Sequence, residues 1–375
     1  MLHELPASEF ERVRPLFSVF DHKLSIAAAI EGNNPGRFFV DDIARPRLAL
    51  ALTVEGYILS GIPNDLTINA ALSRFLRQKI FTGQVYVGGD SYMSLAVYPE
   101  AWEARLPELI PTHEVEKIES YHYLCREVGL DWRRQLPAGY TIRRFDRAML
   151  DDPEIVFPAP LNEWRDFESN WWSVENFLVK GASCCVLYGS EVVSWCASDC
   201  SAGDRTEVGI ITHPAHRRRG LAAVAGAATV EYCLERGFSA VGWHCSADNT
   251  PSWKTAEKAG FRRERSYWDY YYVYDPVDHL AELGWYHYKQ GNYARTVDYY
   301  ARVFAQRQDN PDYYYHLAAS ASALLGDGER ALLYLQRAAD QGWSRADYTR
   351  RQEEFGILHG REEWEAILAQ MAGEG

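Results

Sequence analysis

An α+β fold followed by an all-helical segment is the class that this 375-residue sequence predicts. Three observations point to it. Short apolar runs of strand type alternate with helical patterns as far as about residue 275. From about 276 onward the periodicity is helical only. That last part also repeats itself, "LAELGWYHYKQGNYARTVDYYARVFAQ" against "YHLAASASALLGDGERALLYLQRAADQ", with Gly284 aligned to Ala319 and Gly291 to Gly326. The period is close to the tetratricopeptide repeat of roughly 34 residues.

The elements follow in order. "GRFFVDD" reads as a strand, and "RLALALTVEGYILSG" as two strands around a turn. "INAALSRFLRQKIF" reads as an amphipathic helix, with Ile68, Leu72, Phe75, Leu76 and Ile80 on one face. "QVYVGGD" and "SYMSLAVY" are strand-like, and "WEARLPELIP" and "VEKIESYHYLCRE" helical. Pro137 and Gly139 mark a join. Beyond it, "SCCVLYGSEVVSWCASDC" is a hairpin turning at Gly189–Ser190, and "DRTEVGIITHP" is a strand ended by Pro214. An alanine-rich helix stops near Gly237, "AVGWHC" is a strand, "TPSWKTAEKAG" a helix and "SYWDYYYVYD" a last strand. The expected domains are 1–128, 129–275 and 276–375.

Composition narrows the partners. The chain is 47% hydrophobic with a formal net charge of −13. An acidic balance argues against a nucleic-acid backbone and suits a cationic small molecule. The most apolar stretch carries Glu55 and Gly56 and is shorter than a membrane span, so no membrane is expected. "MLHELPASEFERVRPLF" lacks a basic region followed by an apolar one and is not read as a secretory signal. The expected compartment is the cytoplasm. The seven cysteines fall mostly in apolar runs and read as buried free thiols.

The most informative stretch is "THPAHRRRGLAAVAGAATVEYCLERGF", residues 212–238. Arg217, Arg218 and Arg219 stand just before a helix, and no carboxylate follows until Glu231. A helix start already carries partial positive charge, so cations there call for an anion. Strand, turn, Gly220 and helix form a phosphate-binding geometry, in which successive backbone N–H groups converge and Gly220 removes a side chain. A Gly-Lys-Ser/Thr sequence and G-x-G-x-x-G are both missing, so neither nucleotide fingerprint applies.

The R-x-x-G-x-A segment after this strand resembles the coenzyme A loop of the GNAT N-acetyltransferases. "WHCSADNTPSWKTAEKAGF" is similar to that superfamily's N-x-x-A-x-x-x-Y-E-K-x-G-F segment, with Asn249, Ser252, Glu257, Lys258, Gly260 and Phe261 in place. More narrowly, the two segments look like the zwittermicin A resistance type of GNAT protein. The resemblance implies an α/β GNAT fold: a mixed central sheet with helices on both faces, in tandem GNAT-like halves. The first half lacks the loop and should bind no coenzyme. The helical repeat lies outside the resemblance.

The resemblance also implies roles. Acetyl-CoA would be the co-substrate, with no metal. The cofactor-binding residues would be Arg217, Arg218, Arg219, Gly220, Leu221 and Ala222 for the pyrophosphate, Ile210, Ile211 and Thr212 for the pantetheine arm, and Asn249 and Ser252 nearby. Glu207 is the candidate base, because an amine of pKa near 10.4 must lose a proton before it attacks. Read otherwise, Glu207 is a solvent-facing strand residue or a partner of Arg205. The tyrosine that the family places before E-K-x-G-F is replaced by Ala256, which leaves the general acid open. Ser252, Tyr267, Tyr270 and Tyr271 are substitutes. Asp41, Asp42, Glu163, Trp164, Asp166, Trp171 and Trp172 are candidates for an amine pocket.

Three functions compete. The first is acetyl-CoA-dependent acetylation of a primary amine on a small cationic molecule, an amine-containing antibiotic being one class. The second is acetylation of a protein or peptide recruited by the helical repeat, which could equally mediate self-association. The third is a coenzyme A-binding scaffold without turnover.

Overall fold

The computed structural model describes residues 1–87 and 91–373. It divides into two compact units, residues 1–110 with 117–271, and residues 111–116 with 272–375.

The first unit is built on one sheet. Its strands are β1 (His3–Glu4), β2 (Gly36–Val40), β3 (Leu48–Thr53), β4 (Gly56–Gly61), β5 (Tyr92–Tyr98), β6 (Lys117–Cys125), β7 (Tyr140–Arg144), β8 (Ser183–Tyr188), β9 (Glu191–Ala202), β10 (Arg205–Thr212), β11 (Ala240–Ser246) and β12 (Arg262–Val273). Their order is β1-β2-β3-β4-β5-β12-β6-β11-β10-β9-β8-β7. The sequence "LALALT" of β3 is buried at every residue. Such a continuous apolar strand belongs in a sheet covered on both faces.

One pattern occurs twice. An antiparallel meander β2–β3–β4 is followed by parallel β5, and an antiparallel meander β8–β9–β10 is followed by parallel β11. Parallel neighbours need a crossover. The helix Leu66–Phe75 lies in the first and the helix Leu221–Glu235 in the second. The fold is therefore a mixed-sheet α/β arrangement in tandem halves.

Two strand and helix assignments change. "VEKIESYHYLCRE" forms β6, not a helix, and pairs antiparallel with both β11 and β12. Its tyrosines, histidine and isoleucine suit a pleated surface, and two partner strands supply the hydrogen bonds that a helix would have made for itself. "QVYVGGD" is not a strand over 84–87, and its residues 88–90 lie outside the described residues.

The sheet carries cores on both faces. Val224, Ala225, Val230, Trp243, Ala256 and Phe261 share one cluster, and Phe145, Trp171, Phe177 and Trp195 another. The alanines of helix Leu221–Glu235 allow close approach; a side chain at Gly226 would stand 3.4 Å from Ala259. All described cysteines are free, and six of the seven are buried.

The second unit is helical. Its first two helix pairs are Pro276–Lys289 with Tyr293–Gln306 and Asp312–Leu324 with Gly328–Asp340. Gly291 and Gly326, aligned in the repeat, both occupy left-handed turns between paired helices, with φ of 75° and 81°. Only glycine takes that conformation cheaply. Gly284 faces the ring of Tyr300, where a Cβ would stand 3.1 Å away.

Candidate active site

The arginine loop is a turn with exposed amides. Arg218 has φ of 63° and Gly220 φ of 80°. These left-handed residues turn the chain sharply into the helix Leu221–Glu235. No side chain caps that helix, and its first turn holds no acid. Among the described residues, the amides of Arg218, Arg219 and Gly220 have no backbone partner. Two arginines, both exposed, also brace the turn. Arg217 Nε donates to the Thr212 carbonyl at 3.1 Å, and Arg219 Nη1 to the Tyr140 hydroxyl at 2.9 Å. Lys258, on the next helix, brings Nζ within 3.4 Å of where a Cβ of Gly220 would be. Free amides, a helix N-terminus and an ammonium together favour a polyanion.

The strand leading to this loop forms one arm of a fork. β10 pairs with β11 only over Arg205–Ala240, Thr206–Val241 and Glu207–Gly242. It then continues along β9 as far as Thr212 paired with Ser194, with a register shift between Glu207 and Val208. Ile210, Ile211 and Thr212 thus lie on the arm that has lost its β11 neighbour. They are half-buried. Such an edge can accept an extended ligand as an added strand.

Glu207 sits at the crotch of the fork. It is 4% exposed, which excludes a solvent-facing role, and Arg205 turns instead to the Asp21 carbonyl. Gly242 leaves room for it, since a Cβ there would stand 1.9 Å from Glu207 Oε2. Two imidazoles flank the carboxylate. His122 Nε2 lies 3.5 Å from Oε1 and His244 Nε2 lies 3.7 Å from Oε2. The histidines are cross-strand partners on β6 and β11, with rings stacked 4.5 Å apart. Tyr267 on β12 places its hydroxyl 2.8 Å from His244 Nδ1.

The electrostatics of this cluster are mutual. Burial opposes ionisation of Glu207, but His244 and His122 hold its carboxyl below the ordinary range. Burial likewise opposes charge on His244, and Glu207 outweighs it, so the imidazole is raised. Burial lowers His122 despite its contact with Glu207. The carboxylate is thus favoured by its two neighbours, and the two imidazoles are shifted in opposite directions. Asp199 on β9 is pushed well up by burial and then by Glu55 and Glu207. Its carboxyl occupies space left by Gly209. Nearby, Lys23 Nζ lies 3.1 Å from both oxygens of Asp269 and 4.3 Å above the Tyr267 ring.

Other expected site residues have structural work. Asn249 caps the helix Thr250–Ala259 through the Ser252 amide, and Ser252 Oγ accepts from Trp243 Nε1 at 3.0 Å. Ala256 is fully buried. Asp41 accepts from the amides of Arg47 and Leu48, and Asp42 from those of Ala44 and Arg45. Both therefore fold a loop. Trp171 is core, with Nε1 donating to the Ser198 carbonyl at 3.2 Å. Asp166 caps Ser169. Glu163 and Trp172 are exposed, and the Trp164 side chain lies outside the described residues. Tyr270 is buried, and the Tyr271 ring lies 5.1 Å from Tyr92. Of the substitutes for the missing tyrosine, Tyr267 is the one joined to the Glu207 cluster. His122, His244 and Asp199 were not expected here. Their signal is a polar residue inside an apolar strand.

Comparison with known proteins follows the same outline. An uncharacterized N-acetyltransferase, YdfB of Bacillus subtilis, is 22% identical over 272 residues, which is 72% of this chain and 98% of that protein. A GCN5-related N-acetyltransferase-like protein from Streptococcus suis superposes with a TM-score of 0.51 at 26% identity, covering 70% of this chain and 98% of its own. A tandem GNAT protein from the clavulanic acid biosynthesis pathway has a TM-score of 0.45 at 13% identity, covering 74% and 99%. Residues 14–270 match the GNAT acetyltransferase family model, and the chain, an acyltransferase, belongs to that family.

Proposed function

We propose that the enzyme moves the acetyl group of acetyl-CoA to a primary amine of a small cationic molecule. The observation that carries this reading is the fork: β10 leaves β11 at Glu207 and Gly242 and runs on to an uncapped, amide-rich helix start. The pyrophosphate would rest on the amides of Arg218 to Ala222. The pantetheine arm would extend along Ile210–Thr212. Its thioester would then lie toward the crotch, where the carboxylate is.

The chemistry needs little else. The amine nitrogen attacks the thioester carbonyl, and its proton passes to Glu207 directly or through a water. An amide of β10 near Ile210 meets the developing oxyanion. The carbon–sulfur bond breaks, and the thiolate leaves with a proton from solvent or from Tyr267. A thiolate of pKa about 8.5 needs little assistance.

The first half, which lacks the arginine loop, contributes Glu55 and Lys23 to the same cluster and binds no coenzyme in this reading. Amine-containing antibiotics, as in the zwittermicin A resistance type, are one substrate class. The paired helices of the second unit suit recruitment of a protein acceptor or self-association, and the repeat period supports that alternative. Use of acetyl-CoA fits a cytoplasmic site of action.

The test is a panel of small polyamines, aminated antibiotics and peptides with acetyl-CoA, followed by thiol release. Turnover on a small amine supports the first reading, and turnover on peptides alone supports the second. Coenzyme binding with no release from any amine would overturn both.

A further inference from the structure

The Glu207 cluster has a property that proton transfer does not require. His122 Nδ1 and Nε2, His244 Nε2 and Glu207 Oε2 are all buried without a hydrogen-bond partner. Buried polar atoms are normally paired. The separations of 3.5 Å and 3.7 Å between imidazole nitrogens and carboxylate oxygens are at or beyond the limit of a hydrogen bond. They match two ligands on one small cation, since metal–ligand bonds of about 2.0–2.2 Å at a tetrahedral angle put ligand atoms about 3.3 Å apart. All three donor atoms lie within 4.8 Å of one another.

The topology explains why they converge. Glu207 pairs with Gly242, and His244 pairs with His122. Three neighbouring strands therefore present the donors on one sheet face. The Tyr267 hydroxyl on His244 Nδ1 leaves Nε2 as the ligating atom, the outer-shell device that orients metal-bound histidines. The His244 side chain is 18% exposed while its Nε2 is buried, so the donors lie beneath the surface and not on it. Two imidazoles and one carboxylate select a borderline transition ion over magnesium or calcium, which prefer all-oxygen sites.

From this geometry we infer that His122, Glu207 and His244 form a site for one divalent transition ion, zinc being the best fit, with a fourth position open. This goes beyond the acetyl-transfer reading and bears on it in one respect. An ion on Glu207 occupies the carboxylate that would take the amine's proton. Zinc binding and acetyl transfer should therefore exclude each other.

The experiment uses the full chain stripped with a chelator. Zinc is titrated by calorimetry and cobalt(II) by its visible absorption. One ion per chain with micromolar or tighter affinity is expected, with a tetrahedral cobalt spectrum. His122→Ala and His244→Ala should each weaken binding by about 100-fold, and Tyr267→Phe by about 10-fold. Zinc should suppress thiol release and chelator should restore it. A second cluster, Glu191 with His213 and His216, provides the control. Absence of tight zinc binding by the parent overturns the inference. So does binding that survives His122→Ala and His244→Ala but is lost in His213→Ala. Should the alanine variants fail to fold, Glu207→Gln serves, and an unchanged cobalt spectrum in it overturns the inference equally. Acetyl-CoA affinity, measured separately without metal, stays independent of these outcomes, so either proposal can fail alone.

Discussion

Glu207 fits at the fork only because Gly242 has no side chain: a Cβ there would stand 1.9 Å from Oε2. Gly242→Ala should therefore push the carboxylate away from both histidines. Overpacking of this kind typically costs about 1–3 kcal/mol. Thiol release should fall at least as far as in a direct Glu207 variant. Parental turnover in a folded Gly242→Ala enzyme would show that the site tolerates a displaced carboxylate.

Glu207→Gln keeps the shape and removes the base. Turnover should drop by roughly 10² to 10⁴, the range for losing a positioned proton acceptor. Acetyl-CoA affinity, read by calorimetry, should barely change. Near-parental turnover would take Glu207 out of the mechanism.

The anion cradle is tested at Gly220. Gly220→Glu adds a negative side chain at the helix start and should abolish measurable acetyl-CoA binding. Asparagine tolerates a left-handed conformation, so Gly220→Asn should fold like the parent and bind more weakly. Equal affinity in all three proteins would move the pyrophosphate elsewhere.

Lys23 and Asp269 form a buried ion pair, exposed by 7% each. Removing one partner strands the other charge. Lys23→Met should cost about 3–5 kcal/mol, and the double variant Lys23→Met/Asp269→Leu should recover most of it. Urea titration of the three proteins measures the difference. An additive double variant would mean that the two charges do not interact.

The helical unit should be acid-sensitive through His279. Its Nδ1 accepts from the Val273 amide at 3.3 Å, and its Nε2 faces the Glu114 carbonyl at 2.8 Å. Burial, with His113 adding to it, lowers this imidazole from 6.5 to about 4. The folded state thus resists a proton that the unfolded chain accepts. Stability is full above pH 6.5 and is lost as pH falls toward 4, at up to about 1.4 kcal/mol per pH unit. His279→Asn should flatten that slope in melting curves between pH 7 and 5. An unchanged slope would reject the assignment.

Much of this was legible in the sequence. The arginines, Gly220 and the following alanines announce a turn into a helix, because helix signals are local. Glu207 was legible as a strand residue ahead of the loop and as a candidate base, but its surroundings were not. "VEKIESYHYLCRE" satisfies a helical spacing as well as a strand alternation, and only its pairing with β11 and β12 decides. His122 was missed with it, and the meaning of His244 depends on His122. Asn249 and Ser252 sit in the expected segment, but their polar atoms are used to cap a helix and to hold Trp243, which residue type alone cannot reveal.

The position of β12 has a consequence for how the chain is made. This strand lies between β5 and β6, yet it is synthesised after every other strand of the sheet. Until it emerges from the ribosome, β5 has an open edge, and open edges invite pairing with other chains. The two halves can be recognised separately in sequence but cannot be finished separately. A fragment ending near residue 128 or 261 should aggregate, and the sheet should close late, through contacts distant in sequence, which is a slow route.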